Sequence, residues 1–159
     1  MIDWKSIQQQ SIQKIDWAAD LKSAKNLIKL CQLLKESIPH YQWVGIYVMQ
    51  SEKKKLKLLC YSGLPTEHIE IDYGKGICGQ VAMSGEPFIV DDVREQSNYI
   101  SCNVDVQSEI VYPIYSGDEL VAQIDIDSNQ LSPFGDEDSL LLSEISGQLG
   151  KYWKVCFSL

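Results

Sequence analysis

Between residues 3 and 37, apolar side chains return at spacings of three and four: Ile12, Ile15, Ala19, Leu21, Leu27, Ile28, Leu30, Cys31 and Leu34. That period predicts helix, either unbroken or divided near Asp20 to Ala24. Pro39 in "SIPH" ends it, because the residue before a proline is steered away from helical backbone. The character of the chain then changes. "YQWVGIYVMQ" and "LKLLCYSG" are rich in aromatic and β-branched residues and predict two strands joined by a turn at "SEKKK". "HIEIDYG" predicts a short strand with Ile69 and Ile71 on one face. "GKGICGQVAMSGE" predicts a short helix from Cys78 to Met83, stopped at Gly85, and "PFIVDDV" another short strand. A long polar connection, "REQSNYISCNVDVQSE", has room for helical turns. A hairpin follows, with Ile110 to Tyr115 and Leu120 to Asp127 around a turn at Ser116 to Asp118. From Pro133 on, proline and acidic residues suit a helix N-terminus. They precede an apolar side made of Leu140, Leu141, Leu142, Ile145, Leu149 and Trp153.

This order, with helices at both ends and antiparallel hairpins between them, predicts an α+β layer structure. The terminal helices cover one face of a central sheet, and loops and a pocket occupy the other. A chain of 159 residues with 45% hydrophobic residues suits a single domain with a substantial core. The net charge of −8 works against nucleic acid and anionic membrane as partners. Arg94 is the one arginine, so no arginine patch awaits phosphates, and "KKKLK" at 53–57 is expected to be a solvated hairpin tip. No basic segment leads into an apolar one near Met1, and no apolar run is long enough to span a bilayer, so a cytoplasmic location is expected. Five cysteines without paired close spacing, and two histidines, His40 and His68, give no structural zinc motif.

The candidate chemistry gathers at a few places. Cys78 follows closely spaced glycines, but the spacing fits neither a dinucleotide fingerprint nor a phosphate loop. Near the start of a short helix its thiol is either acidified by the helix dipole or packed inward beside Val81 and Ala82. Cys102 sits among Ser101, Asn103, Asp105 and Glu109, an unusually polar setting for a buried thiol. Reactive and structural readings of it stand level, and its acidic neighbours alone would raise its pKa. In "QIDIDS" strand geometry puts Asp125 and Asp127 on one face and Ile124 and Ile126 on the other. With Glu109, the two aspartates either line a wet sheet face or form a negative patch for a cationic small ligand such as an α-ammonium group. A divalent metal is the other cation such a patch can hold. Trp43 and Tyr47, four apart in one strand, share a face and form either core or a wall for an apolar ligand tail.

Taken together, "WVGIY", "GKGICGQVAMSGE", "NYISCNVDVQSEIVYPI", "LVAQIDIDS" and "FGDEDSLLL" resemble, in this order, a GAF domain. They are most similar to its free methionine-(R)-sulfoxide reductase branch. The resemblance runs from about Gln42 to Asp138. It implies a six-stranded antiparallel sheet with flanking helices, a small enclosed pocket, thioredoxin-type reductants and a homodimer. It further implies that Cys102 attacks the sulfoxide sulfur and that Cys78 pairs with it or takes part in its recycling. Glu109, Asp125 and Asp127 would contact the ligand, and Trp43 would stand beside its methyl-sulfoxide group. No metal and no organic cofactor is required. Two positions depart from the pattern. His68 stands where members with three motif cysteines carry a resolving cysteine, and Asn103 stands where Asp is common. Cys60 lies eight residues before His68, in a different predicted element. His68 itself is either a surface loop residue or a proton donor near the pocket. The alternative function is a non-catalytic GAF sensor. It would need an output module, which the sequence does not display.

Overall fold

The computed structural model describes residues 1–13, 24–100 and 104–157, the segment 154–157 as helical backbone. Helix α1 runs Trp4–Ile12, α2 Lys25–Ser37, α3 Gly76–Ser84 and α4 Asp136–Phe157. The strands are β1 Trp43–Gln50, β2 Lys55–Ser62, β3 Glu70–Asp72, β4 Phe88–Val90, β5 Ser108–Ser116 and β6 Glu119–Ser128. They form one six-stranded sheet in the order β3-β2-β1-β6-β5-β4, with every pairing antiparallel. The predicted α+β arrangement is the observed one. Ile15, Ala19 and Leu21 lie outside the described residues.

Local chemistry sets the element ends. Asp3 caps α1 by accepting a hydrogen bond from the Ser6 backbone N–H at 2.9 Å. α2 closes before Pro39, with Ile38 already extended. On α2, Leu27, Leu30, Cys31 and Leu34 form the buried stripe, while Ile28 turns outward. On α4, Leu141, Leu142, Ile145, Leu149 and Trp153 are buried, and Leu140 falls off the stripe at 62% exposure. Ile69 does not share the face of Ile71. β3 begins only at Glu70, so strand alternation does not reach Ile69, which is 56% exposed.

The sheet separates two cores. α1, α2 and α4 pack on one face, where Val44, Ile46, Ile110, Ile114, Ala122, Ile124 and Ile126 meet Leu30, Leu34, Leu142 and Leu149. α4 approaches β5 so closely that a Cβ on Gly150 would collide with the Tyr115 carbonyl oxygen, so only glycine fits there. The single helix α3 packs on the opposite face with Trp43, Tyr47, Leu56, Ile71 and Val111. The pairing of β1 with β2 slips between Ile46 and Tyr47. One extra residue on β2 reverses its facing, so Leu56 joins the α3 side while Cys60 joins the side of α1, α2 and α4.

Candidate functional site: a buried acidic row beneath α3

On the α3 side, the central strands place chemistry in successive cross-strand rows. Trp43 on β1 lies opposite Asp127 on β6, and Asp127 lies opposite Glu109 on β5. The next row runs Gly45, Asp125, Val111, and the one after it Tyr47, Gln123, Pro113. Directly opposed residues on one face stand within side-chain reach of one another. The two-residue period therefore converts "QIDID" into an inward file of Gln123, Asp125 and Asp127, with Glu109 beside it. This is no wet surface. Asp125 and Asp127 are each 1% exposed, and Glu109 is buried.

α3 covers this file. The buried Cys78 Sγ lies 3.7 Å from Glu109 Oε1. Gln123 Nε2 donates to the Cys78 carbonyl at 3.0 Å and so pins α3 to β6. Gln123 was not singled out in the sequence, although it falls on the same alternation as the two aspartates. The N-terminal end of α3 is held from the other side by Asn98. Its Nδ2 donates to the Gly74 carbonyl at 2.5 Å, and its Oδ1 accepts from the Gly76 N–H at 3.3 Å.

Burial dominates the electrostatics. It pushes the Asp125 carboxyl above its ordinary value, against hydrogen bonds from Glu109 and Cys78 that favour the charged form. It pushes Asp127 well above, with the Asp125 charge adding to the effect. Asp125 Oδ1 and Asp127 Oδ2 have no hydrogen-bond partner among the described residues. The Cys78 thiol is also driven well upward, first by burial and then by the Asp125 and Glu109 charges. Of the two readings of Cys78, the inward-packed one beside Val81 and Ala82 is observed, and burial and carboxylates outweigh the helix dipole. Cys78 is a protonated thiol at neutral pH. Its sulfur and the nearest oxygens of Glu109 and Asp125 lie within 4.8 Å of one another, so they are the described groups able to share a proton or ligate a metal ion. Any cation placed here would find ligands short of positive charge.

Two cavities reach this arrangement. The larger, about 410 Å³, opens where β1 begins and β2 and β6 end, and is lined by Lys35, Gln42, Trp43, Leu64, Asp105 and Asp127 among others. The smaller, about 10 Å³, lies between His68, Ile77, Cys78, Ile100, Glu109 and Asp125. The thiol therefore lines the narrow cleft and Trp43 the wide one, with Asp125 on the first and Asp127 on the second, while Tyr47 lines neither. Trp43 is fixed by donating from Nε1 to the Leu64 carbonyl at 3.0 Å and by stacking on Tyr61, with ring centroids 5.6 Å apart. Its ring lies across Gly45, where any Cβ would strike it. Tyr47, 6.4 Å from Trp43 between centroids, is fully buried and donates its hydroxyl to the His68 carbonyl at 2.9 Å.

The candidates named from sequence separate accordingly. Trp43, Tyr47, Cys78, Glu109, Asp125 and Asp127 come together on one face. His68 is half-buried and lines the narrow cleft, so it is not simply a surface loop residue. Cys60 does not join them: it lies through the sheet, in the opposite core, where it meets Cys31. Cys102 and Asn103 lie outside the described residues. Their flanks reach both cavities, Ile100 the narrow one and Asp105 and Val106 the wide one.

Comparison with known proteins agrees with the fold. Residues 28–152 match the model of the GAF domain family. The free methionine-R-sulfoxide reductase of Saccharomyces cerevisiae is 33% identical over 140 residues, 87% of this chain and 76% of that protein. The type II free methionine-R-sulfoxide reductase of Thermoplasma acidophilum superposes with a TM-score of 0.79 at 34% identity, covering 89% of this chain and 98% of that one. The free methionine-R-sulfoxide reductase of Neisseria meningitidis, solved with its substrate, gives a TM-score of 0.81 at 29% identity, with coverages of 96% and 87%. The chain belongs to the GAF domain family.

Proposed function

We propose that this protein reduces free methionine-(R)-sulfoxide to methionine. The observation that carries this reading is the buried acidic row: two aspartate oxygens without partners, next to a fixed tryptophan at the mouth of a ligand-sized cavity. An ammonium group satisfies those oxygens and returns Asp125 and Asp127 to their charged forms. The face of Trp43 suits the methyl-sulfoxide end. The reductases among the relatives supply the substrate class.

In the proposed cycle the Cys102 thiolate attacks the sulfoxide sulfur as the oxygen is protonated. His68, which lines the narrow cleft, is the proposed proton donor, since the aspartates are charged once the ammonium is bound. The oxygen then passes from the methionine sulfur to the Cys102 sulfur as the bond between the two sulfurs breaks, so methionine departs and Cys102 is left as a sulfenic acid. The Cys78 sulfur attacks that sulfenic sulfur. Its proton leaves through Glu109 or Asp125, water is released and a Cys78–Cys102 disulfide forms. A thioredoxin-type dithiol then reduces the disulfide. The location of Cys60 behind the sheet supports Cys78 as the partner thiol, in the absence of a cysteine at position 68. No step calls on a metal or an organic cofactor.

His68 at the resolving position favours a second reading, a GAF domain that binds the same ligand without turnover. A coupled assay with thioredoxin, thioredoxin reductase and NADPH separates the two. Wild type is expected to oxidise NADPH with free methionine-(R)-sulfoxide, Cys102→Ser to be inactive, and Cys78→Ser to stop after one equivalent of methionine. Ligand binding without NADPH oxidation by wild type overturns the reductase and leaves the sensor.

A further inference from the structure

The wide cavity carries charge of both signs. Its acidic side is Asp127, whose Oδ2 lacks a partner, with Asp105 nearby. Its basic side, among the described residues, is Lys35 from the last turn of α2. Lys35 is half-buried and makes no ion pair among the described residues. Its backbone is anchored by the adjacent Leu34, which is fully buried under the sheet. Lys35 and Asp127 thus line one cavity with no ion pair between them. A ligand that bridges them must carry a cation and an anion a few bonds apart.

The geometry points to Lys35 as the residue that binds the α-carboxylate of the ligand and so restricts the site to free amino acids. This deepens the function proposed above and rests on it. In a free α-amino acid the ammonium and carboxylate leave the same carbon. With the ammonium on the acidic row and the side chain along Trp43, Lys35 is the lining cation left for the carboxylate. A residue within a peptide has neither charge, so it would leave both Lys35 and the row unanswered. The cavity volume of about 410 Å³ lies within the usual range for small-molecule sites, about 300–1,000 Å³. A lysine at a helix C-terminus also complements the helix dipole, which by itself gives a role in stability and none in ligand choice. The two roles differ in what they discriminate.

The test compares free L-methionine-(R)-sulfoxide with its α-amide, which keeps the ammonium and loses the carboxylate charge. Binding is measured by calorimetry on wild type, Lys35→Met and Lys35→Arg. Wild type is expected to prefer the free acid over the amide by roughly 10–100-fold, the usual range for a hydrogen bond to a charged group. In Lys35→Met that preference is expected to collapse toward one, with the loss in turnover falling on KM rather than kcat, and Lys35→Arg is expected to restore most of it. A preference undiminished in Lys35→Met, equal losses for acid and amide, or no binding of either compound to wild type overturns the assignment. Calorimetry needs no turnover, so a protein that binds with the expected preference but does not reduce the sulfoxide overturns the reductase and keeps the role of Lys35.

Discussion

The two faces of the sheet are made by the same residues taken alternately, yet they do opposite work. Within four positions of β6, Ile124 and Ile126 enter the helix-side core while Asp125 and Asp127 enter the α3 side. The isoleucines are close-packed against Leu142 and its neighbours, where each buried methylene contributes. The aspartates are equally buried but retain unpartnered oxygens and raised pKa values. Burial that stabilises one face therefore loads the other. The helix-side core holds the fold, and the acidic row is held in a costly state that the proposed ammonium ligand relieves.

Substitutions on either face test this division. The largest expected effect is on the helix side. Ile126→Ala should cost about 2–5 kcal/mol of stability in chemical denaturation, because the closely packed site cannot collapse fully around the missing atoms. Its folded fraction should bind ligand nearly as wild type does. Next is Asp127→Asn, expected to weaken binding of free methionine sulfoxide by about 1.5–3 kcal/mol in calorimetry. Its melting temperature at neutral pH should not fall, since a disfavoured charge is removed. A drop comparable with that of Ile126→Ala would mean that the acidic row is structural and would erase the contrast between the faces. Gly45→Ala forces the Trp43 ring off β1. The expected cost is about 1–3 kcal/mol of stability, with weakened ligand binding and an altered near-ultraviolet circular dichroism signal.

The smallest effect is a slope. Asp125 and Asp127 bind protons more tightly in the folded protein than in the unfolded chain. Without ligand, stability is therefore fullest below the ordinary aspartate pKa and declines as pH rises through the raised values. Ligand affinity moves the other way and falls as the pH drops and the row takes up protons. Melting temperatures across this range should show less decline in Asp127→Asn. An equal slope in both proteins would remove Asp127 as its source.

Much of this division was legible in the chain because it depends on strand parity alone. "QIDID" fixes which side chains share a face once the strand is granted, and the order of elements follows from where periodicity changes. What parity cannot supply is what lies across from each face. The sequence offered either a wet surface or a ligand patch for the aspartates, and α3, folded over them, makes the row buried. The same missing information explains Cys78, where burial overrode the dipole, and His68, which a loop carries to the cleft. Cys60 escaped for a different reason. One extra residue in the β2 pairing turns it through the sheet, and no composition signal marks that slip. Lys35 is 92 residues from Asp127, and only the folded cavity joins them.

Asn98 has a kinetic consequence. By gripping Gly74 and Gly76 it secures one end of the segment that carries Cys102, while β5 secures the other end at Ser108. Cys102 is four residues from the first anchor, a leash of at most roughly 14 Å when fully drawn out. Cys78 is two residues from Gly76, whose N–H Asn98 accepts, so in sequence both cysteines lie within four residues of this contact. In the proposed cycle the disulfide therefore forms within one chain, at an effective concentration that does not depend on how much protein the solution contains.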